Sequence, residues 1–157
     1  ITLGAESTMI LEYTFEEEIK IDESLDETKY YANAYYKPIY TNSPQIFSVE
    51  GVNKTVSGEA ILRLGVGRAH DKSLQPRITI NGVEIDIPIN WRGYDQADRT
   101  SFFGVLEIPV PYHVLSEQNN ISVEFPDSGG HISSVCLQVF NFSTPITRTK
   151  TSNIQAQ

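Results

Sequence analysis

The side chains best suited to chemistry concentrate between Asn90 and Phe103. This stretch holds the chain's only tryptophan, Trp91, with Arg92, Tyr94, Asp95, Gln96, Asp98 and Arg99 close by. These residue types suit recognition of a sugar better than bond breaking. A sugar offers apolar C–H faces and a ring of hydroxyls, so its site needs an aromatic platform beside planar polar groups. Trp91 and Tyr94 can supply platforms. Asn90, Arg92, Asp95 and Arg99 can supply hydrogen bonds, which are stronger when one partner is charged. The arginine fork also matches the oxygens of a sulfate ester. Two further segments carry similar side chains: Arg68 to Lys72, which includes His70, and Asp127 to His131. The expected site is therefore Trp91, Arg92, Tyr94 and Arg99, joined by Asp95, Asn90, Arg68, His70 and His131. Each has a plainer reading. Trp91 can cap one end of a core, Arg99 can pair with Asp95 or Asp98, and the histidines can be ordinary surface residues.

Catalytic readings have less to stand on. Two carboxylates are all a glycosidase needs, but the acidic residues here lie in one run or in short loops. No His-Glu-x-x-His, Gly-x-Ser-x-Gly or phosphate-cradling glycine loop occurs. His70-Asp71 selects no particular serine as a triad partner. The acidic run from Glu16 to Glu27 suggests calcium, because hard cations want several carboxylates. Its spacing matches no calcium loop, so the run reads first as a solvated strand edge. A structural calcium at Glu16 and Glu18 stays open, and no other cofactor is expected.

The elements that must position these residues are strands. Met9 to Phe15 alternates apolar and polar, as do Glu59 to Val66 and Ile121 to Phe125. The tyrosine-rich segment Tyr30 to Pro38 reads as another strand, with one of each tyrosine pair buried and the other exposed. Gln45 to Val49 is a short strand. Arg77–Ile80 and Val83–Ile87 flank Asn81-Gly82, the pair favoured in a type I′ hairpin because both positions need positive φ. Ile78, Ile80, Val83, Ile85 and Ile87 are expected on one face. Phe102 to Val110 follows the Trp91 loop, and Pro109 with Pro111 predicts an edge strand or a strand end. One short helical turn is expected after Tyr112, and Ile132 to Phe142 is the last strand. Many short strands separated by turn signals, with almost no helical period, predict an all-β fold, an antiparallel sandwich. Residues 9–142 form the expected domain, with a terminal arm at 1–8 and a polar tail at 143–157.

Composition narrows the partners. A formal charge of −8 argues against nucleic acid, whose phosphates need an electropositive face. No apolar run approaches the roughly 18 residues that span a bilayer, so no membrane partner is expected. Cys136 is alone, so no internal disulfide forms. Its strand context predicts a buried apolar role. The absence of an initiator Met suggests an excised piece of a longer chain or a processed product. Asn53, Asn120 and Asn141 head glycosylation sequons, which matter only in a eukaryotic secretory protein.

The second half also carries a familiar order of segments. Leu62 to Arg68 (LRLGVGR) is followed by Ile78 to Ile85 (ITINGVEI), a long loop, and Gly104 to Val110 (GVLEIPV). Asn119 to Phe125 (NNISVEF) and Gly129 to Val139 (GGHISSVCLQV) complete the series. Over roughly residues 58–142 this order resembles the galactose-binding-like jelly roll. The loop Asn90 to Arg99 with Phe102-Phe103-Gly104 is similar to the accessory β-sandwich modules of marine bacterial agarases and porphyranases. That resemblance implies a secreted or cell-surface, non-catalytic carbohydrate-binding module. Its expected partners are a red-algal galactan, agarose or porphyran, and the catalytic domain of the same parent chain. The alternative is a structural accessory sandwich that binds no sugar. Fold alone does not choose between them.

Overall fold

The computed structural model describes residues 25–68, 74–91 and 102–142. The expected strand at Met9–Phe15 and both terminal segments lie outside them. The described residues form nine strands. These are β1 (Leu25–Tyr31), β2 (Lys37–Ile39), β3 (Gln45–Val49), β4 (Ser57–Arg68), β5 (Arg77–Ile80), β6 (Val83–Glu84), β7 (Phe102–Val110), β8 (Asn119–Glu124) and β9 (Gly130–Phe142). A single 3₁₀ turn, Tyr112–Val114, separates β7 from β8, where the short helical turn is expected. The first sheet runs β1-β9-β4-β7, with β2 also paired to β9; the second runs β3-β8-β5-β6. All strand pairings within the two sheets are antiparallel. The fold is an all-β sandwich.

Alternation explains the core. Ala60, Leu62, Leu64 and Val66 of β4 point inward and meet Leu106, Ile108 and Val110 of β7 and Leu137 and Val139 of β9. The second sheet answers with Phe47, Val49, Ile78, Ile80, Ile121 and Val123. Ile132 and Val135 are both buried although three residues apart, which strict alternation forbids. A register shift opposite Gly65 and Val66 absorbs the extra residue. Cys136 is buried in β9, as its strand context predicts.

Three local expectations change. The tyrosine segment is two strands, because β1 stops at Tyr31 and β2 starts at Lys37. Between them Tyr36 takes a positive φ of 48°. The second hairpin arm is short: β6 ends at Glu84, Ile85 is buried, and Val83 stays 47% exposed on the sheet edge. Asn81 and Gly82 adopt φ 53° and 82°, the left-handed pair that the turn needs. β7 closes the first sheet on one side, so Pro109 removes no ladder hydrogen bond from a central strand.

From β2 onward the chain keeps crossing from one sheet to the other. The β2–β3, β4–β5, β6–β7 and β8–β9 connections therefore gather at one end. At the opposite end, buried asparagines close the sandwich. Asn119 Oδ1 accepts from Asn81 Nδ2 at 3.0 Å and from Ser116 N at 2.9 Å. Asn141 Oδ1 accepts from the Tyr112 hydroxyl at 2.7 Å. Asn141 is 3% exposed, so its sequon presents no acceptor to solvent.

Candidate functional site

The end where the four connections gather carries a groove of about 680 Å³. Residues 88–91 make a turn in which Trp91 N donates to Pro88 O at 3.0 Å. That turn sets the half-buried indole against the core. Pro76, Ile78, Ile85, Ile87 and Pro126 complete an apolar floor, while Gln75, Arg77, Glu84 and Asp86 give an exposed polar rim. Arg77 is itself 3.9 Å from Glu124, and its side chain stays 64% exposed. An aromatic side wall with charged groups at the rim is the combination that a sugar ring needs.

Beside the groove, Arg68 organises the loops. It is the fifth residue of the inward row Ala60, Leu62, Leu64, Val66, Arg68, and its side chain has no exposed surface. Nη2 donates to Asp127 Oδ1 at 2.5 Å, to Ser128 Oγ at 2.8 Å and to Ser128 O at 3.2 Å. Nη1 donates to Leu74 O at 3.2 Å, and the guanidinium lies 4.1 Å from the Phe125 ring centroid. Asp127 Oδ2 accepts from Leu74 N at 2.8 Å, which ties the two loops together. Burial alone would raise the Asp127 carboxyl. The Leu74 N–H and the Arg68 guanidinium outweigh it and hold the carboxyl below its ordinary value.

The expected site residues are thus partly regrouped. Trp91 lines the groove, and Asn90 is exposed beside it in the same turn. Arg68, expected to contact sugar, is instead a buried brace, because the inward phase of β4 carries it beneath the loop. That phase was readable from the alternation of β4. His131 does not line the groove; it sits on the outer face of the first sheet, paired with Gly67. Arg77, Glu84 and Asp86 join the rim without any motif to announce them. Arg92, Tyr94, Asp95, Arg99 and His70 lie outside the described residues, as do the calcium candidates Glu16 and Glu18. Among the described residues, no group of three or more His, Cys, Asp or Glu side chains could hold a metal.

Comparison with known proteins decides the family. The family described as beta porphyranase A C-terminal matches residues 46–140, more than half of the chain. The chain belongs to that family. A second family, porphyranase beta-sandwich domain 1, matches residues 1–37. Strand β1 falls within that second match, yet it hydrogen-bonds along β9 of the C-terminal sandwich. The chain is 53% identical over 157 residues to a funoran endo-beta-hydrolase of Wenyingzhuangia aestuarii, covering 99% of this chain and 21% of the relative. It is 40% identical over 121 residues to beta-porphyranase A of Phocaeicola plebeius, covering 76% and 16%. The crystal structure of BuGH86wt in complex with neoagarooctaose superposes with a TM-score of 0.74 at 50% identity, over 86% of this chain and 22% of that one. The chain therefore spans about a fifth of the length of the first curated relative it matches. Its membership in a porphyranase C-terminal family agrees with the resemblance seen in the segments from Leu62 to Val139.

Proposed function

We propose that this chain is a non-catalytic carbohydrate-binding module that holds a galactan-degrading glycoside hydrolase on its polymer. The sugar lies in the groove beside Trp91. Asn90, Arg92, Tyr94, Asp95, Arg99 and His70 belong to the same site, and Arg77, Glu84 and Asp86 orient hydroxyls at the rim. The observation that carries this reading is the half-buried Trp91 in a groove with an apolar floor and a charged rim. The relatives' names, a funoran hydrolase, a porphyranase and an agarase, support a red-algal galactan as the ligand class. Catalysis resides in another part of the parent chain, which acts outside the cell where the polymer is. Tethering to an insoluble polymer raises the local enzyme concentration without any new catalytic contact.

Affinity electrophoresis in gels containing agarose, porphyran, funoran, carrageenan or no polymer tests the reading. Retardation by at least one red-algal galactan is expected. A sulfated ligand held by arginines loses affinity as salt rises, whereas stacking alone hardly changes. Unchanged mobility of the folded protein in every gel contradicts the reading. It would favour a structural accessory sandwich, for which the rings of Tyr35, Tyr36 and Phe103, exposed away from the groove, are the supporting observation.

A further inference from the structure

The outer face of the first sheet carries an aromatic row that the groove does not use. His131 of β9 and Phe103 of β7 both pair with Gly67 of β4. Val66 and Arg68 point inward, so Gly67 and its two partners face outward. A Cβ on Gly67 would overlap the His131 ring, so this glycine leaves the space in which the imidazole lies. Tyr36 stacks on that imidazole, with centroids 4.8 Å apart and planes 15° apart. Phe103 flanks it at 6.0 Å and 37°. Tyr36 and Phe103 nevertheless remain 54% and 60% exposed.

Two features show that the row is held against local cost. Tyr36 sits at φ 48°, a region that bulky residues avoid. His131 Nε2 is buried with no hydrogen-bond partner among the described residues. Neither feature helps the core, because both residues lie on the outer face. Of the charges described on this face, Arg63 pairs with Glu107 at 2.9 Å and Lys29 with Glu27 at 3.4 Å, while Glu59 is exposed eight residues along β4 from Gly67. The Ser133 and Ser134 hydroxyls crowd Gly65, one step along β4 from the rings. What remains for a ligand is ring surface bordered by hydroxyls, with little unpaired charge.

We propose that Tyr36, His131 and Phe103 form a second sugar platform, which takes an uncharged stretch of oligosaccharide. Ring faces match the C–H faces of a sugar, and neighbouring hydroxyls match its rim. This inference shares its ligand class with the proposed function but not its site. Two separated sites on one module would let it grip a polymer twice.

Amide chemical-shift mapping of the ¹⁵N-labelled 157-residue chain with neoagarooctaose tests it. Saturable shifts are expected at Tyr36, Gly67, His131 and Phe103, and they persist in Trp91→Ala. Tyr36→Asn/Phe103→Ser removes both exposed rings, and asparagine tolerates positive φ. This variant should stay folded and bind at the platform about tenfold more weakly. Shifts confined to Trp91, Leu74 and Ile85 overturn the platform and leave the groove standing. Shifts at the platform but not at the groove support the platform and contradict the groove. No shift at either place overturns both, and points to a protein contact on the exposed rings.

Discussion

Arg68→Ala is expected to destabilise the fold by about 3 kcal/mol, the lower end for breaking a buried ion pair from one side, because the Asp127 side chain left behind is 25% exposed and partly solvated. The guanidinium has no exposed surface and serves Asp127, Ser128 and Leu74 together. Its removal leaves the Asp127 carboxylate without its cationic partner and the Ser128 carbonyl without this donor. It also opens a cavity against Phe125, where the guanidinium now stacks. Urea unfolding of both proteins at neutral pH checks the magnitude. The midpoint should fall with the slope unchanged.

The same experiment has a pH signature. The folded Asp127 carboxyl titrates below its ordinary value of 3.8. Its contribution is therefore fully present above about pH 4 and is lost as pH falls through the lowered folded value. Arg68→Ala removes one of the groups that lower it. The stability gap between wild type and variant should be widest near neutrality and should narrow below about pH 4. A gap independent of pH would mean that Arg68 acts through packing alone.

The second large effect falls on binding. Trp91→Ala should abolish retardation in the gel that slows the wild type. Central aromatic anchors in a desolvated pocket cost about 2 kcal/mol or more when truncated, roughly a thirtyfold loss of affinity. The indole is half-buried against the core, so some stability is lost too. The comparison must therefore be made below the variant's unfolding temperature. Retardation equal to wild type would remove Trp91 from the site.

Much of the sandwich was open to sequence reasoning because its signals are local. Ala60, Leu62, Leu64 and Val66 alternate without interruption, and Asn81-Gly82 fixes a hairpin by its own steric demands. What local patterns could not give was set by register between distant strands. Ile132 and Val135 both face the core only through the bulge opposite Gly65 and Val66. Tyr36 breaks a segment whose composition favours a continuous strand, because its backbone turns left-handed to bring the ring onto His131.

The candidate site shows the same division. Trp91 stood out as the single tryptophan, but the other walls of its groove, Leu74 to Ile78, Glu84 to Ile87 and Pro126, come from three separate segments. Arg68 has the chemistry of a ligand-contacting residue, although its place in the inward row of β4 points to burial. His131 and Phe103 are far apart in the chain and meet only because each pairs with Gly67.

The single tryptophan makes the central claim directly measurable. Trp91 emission should be followed while neoagarooctaose is titrated into the folded chain. A saturable change in intensity or wavelength is predicted, since the sugar replaces water against the half-buried indole. Emission that stays constant while the same ligand demonstrably binds would contradict a groove site at Trp91.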